Sequence, residues 1–368
     1  MKKAKRNWVD KWLVAFVLFA PTLAFGWFYC DDFVYEFNSK DEVVVKGLQV
    51  SSQGESYTIP KKVKYKSRFY EVVGIRDSAF TWRGHLKHLN MSNSIKDIGS
   101  GAFSGCFGLV DMKIPNSVTN IGDYAFCKCS HMASVAIGKS VAHIGEASFS
   151  GCVSLTNITI PNSVISIGNN CFGGCSGFTS ISIPDSVESI GYGAFNNCIH
   201  LESIVLPKTL NKIESSLFNG CKSLKSITIP DGVTSIGANA FSDCISLTNI
   251  TIPNSVKRIG YNAFSGCKNM TDITIPDSVK KIDFEAFSGC NRLVTKIPKE
   301  LFVDTTKVIE KWIDCPECKG EGKFWVQCPK RKGKSGTCSC GECWRFGGKI
   351  PVRCKKCNGI GTITIEVD

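Results

Sequence analysis

Cysteines near the carboxyl end are the residues whose spacing most directly suggests chemistry. Eight of the 20 cysteines fall within residues 315–357. The outer four occur in the segments CPECKGEG and CKKCNGIG, which are two copies of the pattern C-x-x-C-x-G-x-G. A two-residue gap lets both thiolates of one tight turn bind the same tetrahedral ion, and the glycines let the backbone fold beneath it. We therefore predict a zinc site formed by Cys315, Cys318, Cys354 and Cys357.

The four inner cysteines follow this pattern less closely. The segment CSCGECWRFGG lacks the glycine spacing, and Arg331 stands where Cys328 would need a second cysteine. A second zinc ion would use the inner set, which is Cys328, Cys338, Cys340 and Cys343. The alternative for all eight residues is oxidation to disulfides, because an exported protein meets an oxidising environment. Paired C-x-x-C knuckles favour zinc, so we expect one zinc ion and at most two.

A strict internal repeat occupies most of the remaining chain. The residues SLTNITIPNSV occur at 154–164 and again, letter for letter, at 246–256, a separation of four times 23. A phenylalanine three residues before each repeat cysteine forms a second column, which Phe80 extends to a line where Arg83 replaces the cysteine. The nine cysteines spaced by 23 are Cys106, Cys129, Cys152, Cys175, Cys198, Cys221, Cys244, Cys267 and Cys290. Such a pattern indicates a stacked array with a degenerate first member.

Each repeat has the pattern of one coil of a solenoid. In the line from 144 to 166, Ile158 and Ile160 alternate with small polar residues, which is typical of a half-buried strand that Pro161 then ends. The segment around Phe149 is too short for a stable helix and predicts a compact turn. Stacking buries apolar columns that no single coil could bury alone. The predicted fold is a repeat solenoid, mainly β, of about ten coils, with a small C-terminal zinc-knuckle domain.

The phrase SLTNITIPNSVISIG, together with AFSGC, resembles the BspA-type leucine-rich repeat. This family occurs mostly in surface proteins of bacteria and some parasitic protists. The resemblance covers about 225 of the 368 residues. It departs from the commoner leucine-rich consensus, because the usual Asn/Cys ladder place falls on Ser163 and the cysteine lies in the turn. The resemblance implies an exported binding protein that adheres to host or neighbouring-cell proteins, glycans or matrix.

The cysteine-rich tail resembles the zinc region of DnaJ-type chaperones. In that family the first and last of four modules share one zinc ion, and the middle two share another. The outer modules of this chain match the pattern fully, whereas the HPD tripeptide of a J-domain is absent from the sequence. The resemblance implies an alternative function, that of an extracytoplasmic chaperone-like or thiol-exchange protein acting through its tail.

The amino-terminal end has the layout of a secretory signal. Five Lys and Arg residues within 1–11 precede an apolar run at 12–29 that contains Pro21. Ala24 and Gly26 offer a small-x-small cleavage site. The length of the run also permits an uncleaved membrane anchor with its positive end inside. In both cases we expect an extracytoplasmic protein, at the cell surface or secreted.

These patterns divide the chain into five segments. They are a signal peptide or anchor at 1–29, an N-terminal β cap at 30–74, the solenoid at 75–303, a linker at 304–314 and the cysteine-rich zinc-binding tail at 315–368.

Two surfaces of the predicted solenoid are candidates for partner binding. The outward places of the main strand, such as Asn157 and Thr159, hold hydroxyls and amides with almost no aromatic or Arg anchors. The opposite edge combines basic and aromatic residues, which suit an acidic glycan or a protein partner. These residues are Lys212, Lys257, Arg258, Lys280, Lys281, Tyr192, Tyr261 and Phe284. The alternative for both surfaces is a solvated face without a partner.

The sequence contains no catalytic motif that we recognise. Its five histidines do not gather with a carboxylate and a nucleophile, and no phosphate-binding loop is present. We therefore expect no enzymatic activity. The tail contains eleven Lys and Arg against three Glu within 315–357, which would suit nucleic acid, but the expected export argues against that partner.

Overall fold

The computed structural model describes residues 26–38, 42–295, 297–302, 349–353 and 360–364, and for the last two segments it describes the backbone. Short strands repeat along residues 26–302, as the predicted mainly β class requires. In the described part of the chain, no helix is both long and apolar enough to cross a membrane.

The cap before the first coil is a small sheet. Its strands are β1 (Trp27–Cys30), β2 (Phe33–Phe37), β3 (Glu42–Leu48), β4 (Ser56–Ile59), β5 (Lys62–Tyr65) and β6 (Arg68–Ile75). β1, β2 and β3 are antiparallel neighbours, and β3 pairs in parallel with β6, which leads into the first coil. Phe28 is buried against Phe37 and Tyr65. The predicted boundary between the signal segment and the cap, between residues 29 and 30, falls inside β1. Phe28, near the end of the apolar run, packs into the core of the cap.

Two columns of parallel strands build the solenoid. The main strands are β7 (His88–Met91), β9 (Asp111–Lys113), β11 (Ser134–Ala136), β13 (Asn157–Thr159), β15 (Ser180–Ser182), β17 (Ser203–Val205), β19 (Asn249–Thr251) and β21 (Asp272–Thr274). The second strands are β8 (Asp97–Ile98), β10 (Asn120–Ile121), β12 (His143–Ile144), β14 (Ser166–Ile167), β16 (Ser189–Ile190), β18 (Ser235–Ile236), β20 (Arg258–Ile259) and β22 (Lys281–Ile282). Paired strands of neighbouring coils are 23 residues apart, which confirms the period.

The number of turns is about nine rather than the predicted ten. One buried isoleucine per coil marks the second-strand column, and nine full turns separate Ile75 from Ile282. The line that begins at Ile282 closes early, through an isolated bridge to Phe302. It has no main strand in its described residues, and a short 3-10 helix, Lys299–Leu301, follows instead. The shortened segment LVTKIP therefore ends the stack instead of adding a coil.

Phenylalanines fill the centre of the coils. Ten rings, from Phe80 to Phe287, stack on one another with centroids 5.0–5.9 Å apart. From Phe80 to Phe264 the side chains are fully buried. The planes of successive rings differ by at most 19°, so each ring offers the same face to the next coil. The repeated F-x-x-C turn is compact, as predicted, because its phenylalanine points inward.

Cysteine and serine side chains hydrogen-bond one coil to the next. Each column thiol donates to the carbonyl oxygen of the phenylalanine in the preceding coil, for example Cys152 Sγ to Phe126 O at 3.2 Å. The nine such distances lie between 2.9 and 3.2 Å. On the other side of the coil, Ser163 Oγ donates to Val141 O at 2.7 Å. The serine therefore forms one ladder of hydrogen bonds between coils, and the cysteine forms a second ladder in the turn.

A glycine follows each second strand from β8 to β20 because the coils approach most closely there, whereas Asp283 follows β22. A β-carbon at Gly168 would lie 2.6 Å from the backbone nitrogen of Glu146 and 2.6 Å from the carbonyl carbon of Gly145. Gly122, Gly191 and their equivalents meet comparable contacts of 2.5–2.7 Å. A side chain at these glycines would require one of the two backbones to move.

Glu214 interrupts the glycine column inside the stack. The second-strand sheet stops there, since β16 is the last strand of one sheet and Ile213 forms only an isolated bridge to Ile236. The rings of Phe195 and Phe218 at this level are 5.9 Å apart, the widest of the nine spacings. A side chain in this column does not by itself explain the separation, because Asp283 occupies the same place while β20 and β22 stay paired and the rings of Phe264 and Phe287 are 5.3 Å apart. We call this boundary the seam.

Candidate functional site

The predicted zinc ligands lie outside the described residues. This applies to Cys315, Cys318, Cys354 and Cys357 and to the inner set of Cys328, Cys338, Cys340 and Cys343. The sequence that contains Cys354 and Cys357 separates two antiparallel strands, β23 (Lys349–Arg353) and β24 (Ile360–Thr364). Among the described residues, no group of three or more His, Cys, Asp or Glu is arranged to hold a metal ion.

The predicted partner-binding residues separate into two groups. Arg258 pairs with Lys281 across β20 and β22, so these two coils are direct neighbours. Six of the eight predicted residues lie on these coils and form what we call the C-terminal patch: Lys257, Arg258, Tyr261, Lys280, Lys281 and Phe284. Tyr192 and Lys212 lie in coils on either side of the seam and outside the patch. The repeat alignment assigned these residues to shared columns, but a column extends over the whole length of the stack.

Ion pairs reduce the positive charge of this surface. Arg258 donates to Asp283 Oδ2 at 2.7 Å, and Lys281 Nζ lies 4.0 Å from the same carboxylate. Near the seam, Lys212 pairs with Glu214 at 2.6 Å. Phe284 remains 46% exposed. The C-terminal patch therefore combines an exposed ring with two ion-paired cations, Arg258 and Lys281, and two exposed lysines that form no ion pair among the described residues. This mixed composition suits a protein interface.

Tyr261 adds a second aromatic residue to the patch. Its hydroxyl donates to Glu285 Oε2 at 3.0 Å. Burial, and then this hydrogen bond, raise the pKa of the Tyr261 phenol. The ring is held in one place on the coil beside Phe284, which reduces the side-chain entropy that a partner would have to remove.

A shallow groove runs beside β10, β12, β14 and β16. It holds about 610 Å³ between a row that contains His143 and a row that contains Glu146, and the Lys212–Glu214 pair closes it at the seam. Its polar groups already have partners within the stack: His143 Nδ1 lies 2.8 Å from Ser166 Oγ, and Tyr124 donates to Glu146 at 2.6 Å. The groove exists because the glycine column has no side chains to fill it. The polar groups named here are bonded to neighbouring coils and do not indicate a ligand.

The main-strand face is flat, polar and exposed, as the period-two pattern predicts. Its outward residues from Ser134 to Thr274 are all exposed, and Val205 is the one large apolar side chain among them. Small polar side chains without an aromatic ring seldom contribute much binding energy.

Four of the five histidines contact the neighbouring coil, whereas Nε2 of His85 is buried without a hydrogen-bond partner among the described residues. His200 Nδ1 lies 2.8 Å from Ser176 O, His131 contacts Phe107 O in the same way, and His88 lies 3.4 Å from Asp111. These are partners in adjacent turns at the same level of the repeat.

Two exposed aromatic residues were missed by the sequence analysis. Trp82 is 63% exposed and Phe107 is 47% exposed, both in the turns of the first two coils. A signal was present, because Trp82 occupies a place that is glycine in most lines, such as Gly105 and Gly151. Aligning the repeats on their cysteines shows which residues recur, and Trp82, which differs from the rest of its column, was not singled out.

The column thiols are reduced and chemically protected. All twelve described cysteines are free, and from Cys106 to Cys267 the column is fully buried. Burial raises the pKa of the Cys106 and Cys221 thiols to about 12. Burial also raises the pKa of Cys175 and Cys198. Because the thiolate is the reactive species, these residues act as hydrogen-bond donors and not as nucleophiles.

The raised pKa values predict alkaline instability and slow alkylation. A thiol that is harder to ionise in the folded state favours folding below its unfolded pKa, near 9.0, and this contribution is lost as the pH rises toward 12. We expect the urea midpoint to fall between pH 9 and 11, and to fall less in a Cys175→Ala variant relative to its own value at pH 7. Peptide mapping after iodoacetamide treatment at pH 8 should find half-buried Cys127 labelled before Cys175. Labelling of Cys175 at an equal rate would contradict the protected column.

A family model described as BspA type leucine-rich repeat region (6 copies) matches residues 73–202 and 165–294. No curated protein matches this chain.

Solved structures of leucine-rich repeat proteins are similar to the chain. A leucine-rich repeat protein from Bacteroides ovatus ATCC 8483 is 35% identical, with a TM-score of 0.60, over 72% of this chain and 63% of that one. A leucine rich cell surface protein from Faecalibacterium prausnitzii A2-165 is 24% identical, with a TM-score of 0.33, over 67% and 94%. The pneumococcal vaccine antigen PcpA is 17% identical, with a TM-score of 0.44, over 78% and 96%. The match thus spans less than two thirds of the Bacteroides ovatus protein.

Proposed function

This chain belongs to the BspA-type leucine-rich repeat family, and from that premise we propose that it is an exported binding protein, an adhesin displayed at the cell surface or secreted. The expected signal or anchor at 1–29 supports export. One similar protein is described as a cell surface protein. Stacked repeats offer extended surfaces rather than enclosed pockets, which suits the binding of a macromolecule.

The observation that carries this proposal is the C-terminal patch. It places Tyr261 and Phe284 beside each other in sequence-equivalent positions of adjacent coils, with Arg258 held by Asp283. Aromatic residues and arginine are enriched in the anchors of protein interfaces. The paired charges around them supply a polar rim, which favours a protein partner over an acidic glycan at this place.

Replacing the two patch aromatics tests this assignment. Serine occupies the same column at Ser100 and Ser215, so the double variant Tyr261→Ser and Phe284→Ser should fold like the parent. We expect its binding to immobilised extracellular-matrix proteins such as laminin and collagen to weaken at least tenfold, since interface anchors typically contribute more than about 1.4 kcal/mol each. The measurement is saturation binding of the full-length protein in a solid-phase assay.

The matched control is Tyr192→Ser. Tyr192 is a half-exposed tyrosine of the same column but lies on the other side of the seam, so this change should leave binding intact. Equal loss in both variants would show that the surface acts without a defined site. An absence of saturable binding by the parent protein to any matrix protein would remove the adhesin proposal itself.

A second candidate function rests on the tail. Two copies of C-x-x-C-x-G-x-G support a zinc module formed by Cys315, Cys318, Cys354 and Cys357. The pairing of Arg353 with Ile360 supports it further, since it brings together the two ends of the segment that contains the last knuckle. Such a module would let the tail bind unfolded chains or exchange thiols outside the cytoplasm.

Zinc content and free-thiol count decide between zinc and disulfides in the tail. We expect one or two zinc ions per chain in protein recovered without exposure to air, and tail thiols that react only after chelation. A Cys315→Ser and Cys318→Ser variant should lose one zinc ion. Protein with no zinc and no free tail thiols would instead have a disulfide-bonded tail, and the chaperone-like function would then be abandoned.

A further inference from the structure

Two aromatic rings lie flat on the outer surface of the turns at the start of the stack. Trp82 and Gly84 belong to one coil, and Gly105 and Phe107 occupy the equivalent places in the next. A β-carbon at Gly105 would collide with the indole of Trp82, and one at Gly84 would collide with the ring of Phe107. Each ring therefore rests on a glycine of the neighbouring coil. One face of each ring is covered by backbone and the other is available to a ligand.

The backbone of Trp82 adopts a conformation that is unusual for its side chain. Its φ is 61°, in the left-handed region, where a bulky residue is rare. The same position in the following coils is mostly glycine, as at Gly105, Gly151 and Gly174, each with φ near 73°. Because Lys128, Asn197 and Asp243 adopt the same conformation at this place, the feature that distinguishes Trp82 is its large exposed ring.

Exposed cations without acidic partners share this side of the solenoid. The turns stack in register, because Trp82 N donates to Ser104 O at 2.8 Å and Lys128 N to Ser150 O at 2.7 Å. We call this side of the stack the turn edge. Its exposed cations are Lys128, Lys222, Lys268 and Arg292, and none of them forms an ion pair among the described residues.

Carboxylates are nearly absent from the turn edge. The three turns nearest the aromatic pair, residues 81–85, 104–108 and 127–131, contain no Asp or Glu and include Arg83 and Lys128. This differs from the C-terminal patch, where Asp283 pairs with Arg258 and Lys281 while Lys257 and Lys280 form no ion pair among the described residues. Unpaired positive charge therefore lies on the turn edge as well as at Lys257 and Lys280, and the sequence analysis named only the second of these places.

We propose that the turn edge binds an acidic glycan, with Trp82 and Phe107 stacking on the faces of sugar rings and Lys128 and the following cations contacting carboxylate or sulfate groups. The proposal deepens the binding function argued above by assigning a second surface with its own ligand class. A pyranose ring presents a face of C–H groups that packs well on a flat aromatic ring. Adjacent coils are 5.0 Å apart, measured between the rings of Phe80 and Phe103. This spacing is comparable with the length of one sugar residue in an extended glycan, so successive coils could contact successive sugars.

The test measures binding of the full-length protein to immobilised heparin, hyaluronan and neutral dextran by surface plasmon resonance at two salt concentrations. We expect binding to both acidic glycans, weaker at the higher salt, and none to dextran. Trp82→Gly removes the stacking ring without changing charge and restores the residue most coils have at that place. It should weaken binding at least tenfold without lowering the melting temperature. Phe107→Ser, which matches Ser130 of the same column, provides an independent second variant.

A pair of double variants separates a defined site from a general charge effect. Lys128→Asn with Lys222→Ser removes two cations from the turn edge, and Lys257→Thr with Lys280→Thr removes two from the C-terminal patch. Residues of the same columns supply the replacements in each case. The net charge falls equally, so we expect at least tenfold weaker binding for the first and less than twofold for the second.

Three results would overturn the proposal: equal losses in the two double variants, full binding by Trp82→Gly, or single-stranded DNA binding as tightly and with the same dependence on Trp82. The Tyr261→Ser and Phe284→Ser variant should retain glycan binding. If it loses matrix-protein binding while the parent protein binds no glycan, the inference fails and the proposed protein-binding function stands.

Discussion

Replacing Phe172 by alanine should lower the free energy of unfolding by about 3–5 kcal/mol, the range for removing a large aromatic side chain from a packed core. Phe172 is fully buried and contacts Phe149 and Phe195 at centroid distances of 5.6 and 5.4 Å. The edge of Phe178 packs against it at 5.8 Å. Removing the ring leaves a cavity that the stacked coils cannot close, because their backbones are fixed by hydrogen bonds on both sides.

The matched control for Phe172→Ala is Phe287→Ala. Phe287 is the last ring of the stack, is partly exposed and has one ring neighbour, Phe264, at 5.3 Å. Its loss should cost less than half as much in a urea titration followed by circular dichroism. Equal effects at the two positions would mean that the central stack does not hold the coils together.

Gly168→Ala should destabilise the protein by about 3 kcal/mol or more, although it adds a single methyl group. The new β-carbon would lie 2.6 Å from backbone atoms of the preceding coil, and neither backbone can move without breaking the second-strand pairing on both sides. Alanine normally stabilises a chain by restricting its unfolded state, so a large loss would be due to the close approach of coils. Thermal and urea unfolding measure the effect.

Gly74→Ala provides the comparison. Gly74 lies in β6, and a β-carbon there would meet Val44 Cγ1 at 3.4 Å and Asp97 O at 3.5 Å, which are ordinary contacts. This change should alter stability by less than about 1 kcal/mol. If Gly168→Ala were equally mild, the coils would be more loosely stacked than the structure indicates.

The repeat made the architecture predictable, because a fixed period places equivalent residues in the same environment in every coil. The buried phenylalanine and cysteine columns, the outward polar places of the main strand and the compact turn all followed from one line of 23 residues. The count of ten turns was wrong because the last line keeps its phenylalanine but closes at Phe302. The thiol ladder was not predictable, since sequence shows that Cys152 is small and buried but not that it donates to Phe126 O.

Departures from the repeat were harder to interpret than the repeat itself. Glu214 and Trp82 are each a single residue that differs from a glycine column, and their consequences depend on which backbone lies nearby. The predicted basic and aromatic surface combined residues that share columns, but Asp283 and Glu214 then proved to be the partners of three of its cations. Which cations are neutralised depends on side-chain geometry, which the aligned repeats do not show.

The seam at Glu214 lacks second-strand pairing, although the turns remain bonded across it, as between Phe195 N and Leu217 O at 3.1 Å. We expect the solenoid to divide there first into two cooperative blocks. In a linear array, each coil is stabilised by its two neighbours, so a weaker junction sets where cooperativity divides. The Trp82 end and the C-terminal patch lie on opposite sides of that junction. Amide hydrogen exchange in the second block can therefore proceed by opening at the seam, without global unfolding. If two bound partners pulled on the protein, the seam would open first. The protein would then lengthen at the seam while both binding surfaces stayed folded.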